Sequence, residues 1–324
     1  MSIPEISSSK APLKTRLLGE FKNKLGILFV LILLIIIMSI LSESFLTMFN
    51  LMNVARQITI VAILGIGMTF VILSGGIDLS VGSIVALVGS VTAGLLLSGY
   101  HLGIAITFGL FVGLAIGIIN GVVTTYGKIP SFIVTLGMMT VARGFALVYT
   151  DGYPISGLPS SFSFIGRGFI GPIPFPVIIM IVCFTIGYVV LKYTRFGRNV
   201  YALGGNEEAA RLSGIKTKFT NVSVFAISGL TAAIAGIILA SRLSSGQPSA
   251  AVAMELDAIA AVVIGGTSFS GGKGSIVGTL IGAAIMGVIS NGLNLLGVSS
   301  YWQMIAIGFI IVLAVWIDQF KQKN

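Results

Sequence analysis

The stretch "GGTSFSGGKGS", Gly265 to Ser275, decides between two folds. Read as a phosphate-binding loop, it demands a soluble α/β domain around it. Such a loop runs GxxxxGK and then Ser or Thr. Its backbone cradles phosphate, its Lys reaches the terminal phosphates and its hydroxyl holds magnesium. Lys273 follows Gly272 as required, but Thr267 stands where the first Gly belongs and Gly274 where the hydroxyl belongs. The flanking runs are long and apolar, with no buried strand bounded by a polar domain. Nucleotide binding by this loop is rejected. Its glycines read instead as a break between membrane segments, with Lys273 marking the cytoplasmic side.

The rest of the chain agrees. Of 324 residues, 56% are hydrophobic and 9% charged, whereas a soluble domain carries about 25% charged residues. So few charges cannot cover a water-facing surface, so the solvent is largely lipid. The net charge of +9 follows from the collection of Lys and Arg on the cytoplasmic side of membrane proteins. No single basic patch points to nucleic acid. One cysteine, Cys183, and one histidine, His101, leave no metal-ligand set and no catalytic constellation, so neither a metal nor a catalytic residue is expected.

Apolar runs of helical length predict spans at about 25–41, 57–73, 81–97, 102–125, 131–149, 175–191, 219–240, 256–267, 276–296 and 301–318. The expected fold is all-α: a polytopic integral membrane protein of about ten transmembrane helices. Residues 1–24 form a cytoplasmic tail, and 25–324 form one transmembrane domain with a cytoplasmic loop at about 192–218. The first run is too long for a signal peptide and lacks a small-residue cleavage site. The eighth is short and carries Glu255 and Asp257 near its start, so it can be broken or re-entrant. With the N-terminus inside, fifteen of the 19 Lys and Arg fall on inner segments. Arg56, Arg167 and Arg242 fall outside, and Arg143 lies within a span. That bias places both termini in the cytoplasm.

Small residues recur at helical spacing. Gly109, Gly113, Gly117 and Gly121 line one side of the fourth span, and Gly274, Gly278 and Gly282 open the ninth. Such stripes let helices approach closely, and packing within one subunit is the preferred role. "GGIDLSVGSIV" from Gly75 echoes "GGTSFSGGKGSIV" from Gly265, which suggests equivalent bends at an inner gate near Ser80 and Ser270.

The charged link carries "NEEAARLSG", Asn206 to Gly214. Asn206 can cap a helix through its side-chain oxygen. Glu207 and Glu208 suit its first turn and Arg211 its last, and Gly214 can stop it in a left-handed conformation. A short capped helix is expected on the cytoplasmic side. Polar residues inside spans are candidates for a path or gate: Asp78, Ser80, Asn120, Arg143, Asn291, Asn294 and Gln303, with Ser270 at the bend. For each, a helix cap or a helix–helix hydrogen bond is the preferred role. Arg143 has Asp151 and Glu255 as possible acidic partners.

"EAARLSG", Glu208 to Gly214, matches the EAA-x-x-x-G core of the docking loop of ATP-driven import permeases, although Val224–Ile227 lacks the expected continuation. With "FVILSGGIDLSVGSIVAL" (70–87), "RLSSGQPSA" (242–250), "ELDAIAAVVIGGTSFSGGKGSIVGTLIG" (255–282) and "NGLNLLGVSSYWQM" (291–304), the chain resembles ribose import permeases from about Phe45 onward. These are membrane subunits of ABC importers, in a branch that also carries xylose, arabinose, galactose and autoinducer-2. Phe269 departs from the Leu expected there.

The resemblance implies a non-enzymatic transport subunit in a bacterial cytoplasmic (inner) membrane. It implies three partners besides membrane lipid: a periplasmic sugar-binding protein, a second permease copy and a cytoplasmic ABC ATPase. The ATPase would hold the ATP and magnesium and dock on Asn206, Glu207, Glu208, Ala209, Arg211 and Gly214. A secondary transporter driven by an ion gradient is the rival, since those also use intramembrane acids and broken helices.

Overall fold

The computed structural model describes residues 13–323. Lys10 and the rest of the tail before residue 13 lie outside the described residues. In chain order the helices begin with α1 (Leu13–Leu41), α2 (Met48–Leu73), α3 (Val81–Leu97), α4 (Leu102–Gly127) and α5 (Ser131–Tyr149). After α5 come strand β1 (Ile155–Ser156), α6 (Ser160–Arg167), strands β2 (Phe169–Ile170) and β3 (Ile173–Pro174), and α7 (Phe175–Tyr193). Two short helices follow, α8 (Arg195–Gly205) and α9 (Glu207–Leu212). The chain ends with α10 (Thr217–Leu243), β4 (Ser245–Gly246), α11 (Met254–Ile264), α12 (Ile276–Leu295) and α13 (Ser300–Lys323).

The all-helical architecture agrees with the sequence. Among the described residues, six helices are long and apolar enough to cross a membrane: α2, α4, α5, α7, α10 and α12. Two shorter apolar helices, Leu25–Leu41 and Val81–Leu97, join them. The helix α1 already includes 13–24, which the sequence assigned to the tail. The expected eighth span is the main departure. Helix α11 has 11 residues, or about 16 Å at 1.5 Å per residue. That is roughly half of a hydrocarbon core of about 30 Å.

The core sits around α2, α3 and α10. The apolar window of α2 is 78% buried and that of α10 67%, against 17% for α5. Glycine sets the closeness of α4 and α10. A Cβ on Gly113 would lie 2.6 Å from the Ala233 Cβ and from the Gly229 carbonyl oxygen, and one on Gly121 would lie 2.7 Å from the Val222 Cα. The stripe is therefore consumed inside the subunit, as preferred. The second stripe seats α12 on α11, with Gly282 against Ala261 and Gly278 against Gly265. Outward faces remain apolar, for instance Phe145, Val148 and Phe309, as expected where lipid is the solvent.

Candidate functional site

Two crossings are interrupted part-way through the bundle. The first runs over residues 74–80 and leads into α3; the second runs over 244–253 and leads into α11. Their helix N-termini meet. A Cβ on Gly82, in the first turn of α3, would lie 2.6 Å from the Ala251 carbonyl oxygen and would collide with the Glu255 carboxylate of α11. From that meeting point the two helices run in opposite directions. Residue Gly246 lies against Gly89, Ser90 and Ala93 of α3, whereas Gly265, past the end of α11, lies against Gly278 of α12. The irregular, turn-rich segment 244–253 plus α11 thus cover together the depth assigned to one helix.

Backbone groups in such breaks need partners, because hydrocarbon supplies none. In the first break, the Ile77 amide donates to the Ser131 hydroxyl and the Leu79 amide to the Thr135 hydroxyl, each at 3.0 Å. Both hydroxyls come from the start of α5. The Asp78 side chain is fully buried. Its Oδ1 accepts from the Ser80 amide (3.0 Å) and hydroxyl (2.6 Å), and its Oδ2 accepts from Ser228 of α10 at 2.8 Å. The Ser80 hydroxyl in turn accepts from Asn120 Nδ2 at 2.9 Å. Ser228 lies about 16 Å along α10 from its start, and Asn120 about 10 Å before the end of α4. The cluster is therefore well inside the bundle.

In the second break the donor is a cation. Arg143, from the same helix α5, donates through Nη1 to the carbonyls of Pro248 (2.6 Å) and Ala250 (2.7 Å). Glu255 lies within its electrostatic reach, so of the two acids proposed for Arg143 the structure favours Glu255. The guanidinium spends its strongest contacts on backbone carbonyls. Non-glycine residues here adopt left-handed backbone, Ser244 at φ 50°, Ala251 at φ 58° and Ala253 at φ 67°. Strand β4 also pairs antiparallel with β1, Ile155 opposite Gly246 and Ser156 opposite Ser245.

The structure brings together Asp78, Ser80 and Asn120, and separates them from the other candidates. Asn291 forms a reciprocal amide pair with Asn50, at 2.9 and 2.8 Å, which ties α12 to α2. Asn294 accepts from Gln303 Nε2 at 2.8 Å where α12 turns into α13. Ser270 lies exposed in the 265–275 loop, while Ser80 is fully buried. The sequence echo is also recast. The bend at Gly75 and the loop at Gly265–Ser275 touch, through a bond from the Gly272 amide to the Leu73 carbonyl at 2.9 Å. Only the first, however, leads into an interrupted crossing. The loop leads directly into α12, capped by Ser275.

Sequence reasoning missed Ser131, Thr135 and Ser228. Their hydroxyls sit on otherwise ordinary helix surfaces, and their partners lie 54, 56 and 150 residues away. The one available signal was polarity within a span.

The surface helix is as expected. Asn206 Oδ1 accepts from the Ala209 amide at 2.9 Å, and Glu207 and Glu208 occupy the first turn. Arg211 pairs with Glu208 at 2.6 Å, and this guanidinium holds the Glu208 carboxyl below its ordinary range. Gly214, at φ 82°, ends the helix, and the Ile215 amide returns to the Ala210 carbonyl. Ala210 faces inward while Leu212 is 76% exposed, an apolar side chain presented next to two acids.

A helical chain with two interrupted crossings, each satisfied from inside the bundle, has the build of a membrane transport protein. Residues 50–315 match a family described as the permease component of branched-chain amino acid transport systems. The ribose import permease protein of Bacillus subtilis is 52% identical over 92% of this chain and 94% of its own length. That of Escherichia coli K12 is 50% identical over 91% and 93%, and the D-allose transport system permease of the same strain is 41% identical over 98% and 97%. No solved structure matches. The chain belongs to this family of transport-system permease components and is a multi-pass membrane protein.

Proposed function

We propose that the chain is the membrane-spanning subunit of an ATP-driven importer of ribose or a related sugar, working as one of two permease copies in the cytoplasmic membrane. The similarity to ribose import permeases over more than nine-tenths of the chain carries this reading. Ten segments then cross or enter the membrane, counting α11 with its irregular lead as one, and both termini lie inside. A separate ATPase holds ATP and magnesium, and a binding protein delivers sugar from outside. The exposed, capped α9 is the docking point for the ATPase. An effector shifts a conformational equilibrium only through different interactions with the two states, and α9 is where that difference enters.

Reconstitution in proteoliposomes tests the reading. Uptake of ribose is expected only with binding protein, ATPase and ATP together. Uptake by this chain alone, driven by a proton or sodium gradient, would instead establish the secondary-transporter reading. Either Glu208→Lys or Gly214→Pro is expected to abolish uptake while the chain still inserts. Full uptake, with ATPase copurifying at the wild-type level, would remove α9 from that role.

A further inference from the structure

Three backbone segments meet without side chains between them directly before α9. Helix α8 ends in Gly204 and Gly205, one residue before Asn206. The end of α2 contributes the Leu73 carbonyl, which accepts from the Gly272 amide of the 265–275 loop at 2.9 Å. Gly204 lies directly over that bond: a Cβ there would collide with the Leu73 oxygen and lie 2.7 Å from the Gly272 nitrogen. Gly271, at φ 83°, closes the other side, where a Cβ would lie 2.9 Å from the Gly204 oxygen and 3.1 Å from the Gly75 nitrogen. One turn back on α8, the Tyr201 hydroxyl bonds the Gly274 carbonyl at 2.8 Å.

Helix α8 is not a loose strut. Val200 is buried in a cluster with Phe70, Val71, Leu73 and Ile276, and Tyr201 packs against it, so α8 is joined by apolar packing to the end of α2 and to the first residue of α12, directly after the loop. Close-packed contacts transmit displacement because they have no free volume to absorb it. The two joined segments flank the interrupted crossings. Leu73 directly precedes the break at 74–80, and the 265–275 loop directly follows α11.

We propose that Gly204, Gly271, Gly272 and Tyr201 form a transmission junction that passes movement of the docked α8–α9 unit to both interrupted crossings at once. This rests on α9 being the ATPase docking helix. It assigns the 265–275 glycines a positioning role: they let a backbone, rather than a nucleotide, approach.

The test uses the full transporter with its ATPase and binding protein in proteoliposomes, reading ribose moved per ATP hydrolysed. Tyr201→Phe removes one bond and no volume; Gly204→Ala inserts a methyl into the junction. Gly137→Ala, whose methyl meets nothing within 4 Å, is the inert control. Substitutions along a coupling route change coupling by roughly 2- to 30-fold. Sugar per ATP is expected to fall by about 3-fold for Tyr201→Phe and further for Gly204→Ala, with ATPase copurification unchanged. Should Gly204→Ala fail to accumulate, Tyr201→Phe carries the test alone. An unchanged ratio for Tyr201→Phe, alongside lost uptake for Glu208→Lys, would overturn the junction and leave the docking role standing. Unchanged uptake and copurification for Glu208→Lys would overturn the docking role and the junction with it.

Discussion

The break ahead of α3 and the break ahead of α11 sit at the same meeting point but are held by different chemistry. At 74–80 the partners of the backbone amides are neutral hydroxyls, Ser131 and Thr135, and the one acid, Asp78, is enclosed by Ser80 and Ser228. At 244–253 a single guanidinium holds two carbonyls. The first arrangement spreads its load over several neutral bonds, whereas in the second two carbonyls rest on one guanidinium, beside the β1–β4 pairing. Ser131, Thr135 and Arg143 all come from α5, whose other face is exposed and apolar. That helix is therefore the common brace of both breaks.

The contrast can be broken by substitution. Arg143→Met keeps the length of the side chain but leaves the Pro248 and Ala250 carbonyls without their donor and Glu255 without its counter-charge. Two buried carbonyls lose their donor at about 1–3 kcal/mol each, so this variant is expected to lower the unfolding temperature in mild detergent the most. A transition at the wild-type temperature would show that the second break does not depend on Arg143. Asp78→Asn comes next. It exchanges one acceptor oxygen for a donor facing serine hydroxyls, which can rotate to adapt, and a loss of about 1–3 kcal/mol is expected. Removing one of several hydroxyls should matter less: Thr135→Ala is expected to cost about 1 kcal/mol, read as a small shift in the same melting curve. If Thr135→Ala destabilised as strongly as Arg143→Met, the distributed character of the first break would be wrong.

The smallest effect belongs outside the bundle. Glu208 is held below its ordinary range by Arg211. A depressed carboxyl contributes stability that is present above its unfolded value, near 4.3, and is lost as pH falls through the folded one. Exposed pairs contribute little. Lowering the pH from about 5 to well below the unfolded value of about 4.3 should therefore loosen α9 slightly, seen as faster amide exchange at Ala209 and Ala210, and Glu208→Gln should remove the pH dependence.

The two breaks also differ in how far the sequence revealed them. Around 74–80, the doubled glycine and an acid within an apolar stretch are visible signals; Asp78, Ser80 and Asn120 stand in the sequence as separate candidates for a path or gate, and only the structure brings these three together. Around 244–253 the only signal was the shortness of the following run, and the sequence assigned the crossing to 256–267. The helix occupies 254–264, with the turn-rich lead at 244–253 supplying the rest. Irregular backbone of mixed small residues carries no periodicity, so no local pattern marks it. Asn291 and Asn294, chosen for the same reason as Asp78, instead join helices to one another. Polarity within a span says that a partner exists and not which one.

Local and compositional physics was enough for the membrane class, the all-helical fold, most span positions and the capped helix at Asn206–Gly214. Hydropathy is a property of short windows, and a helix cap spans four residues. Tertiary structure alone decided where crossings break, which helix supplies the missing bonds, and what the loop at Gly265–Ser275 touches. A buried backbone amide or carbonyl must be satisfied, but its partner lies wherever the packing brings it. Here that is 54 residues away for Ile77, 105 for Pro248 and, from 272 to 73, 199 for Gly272.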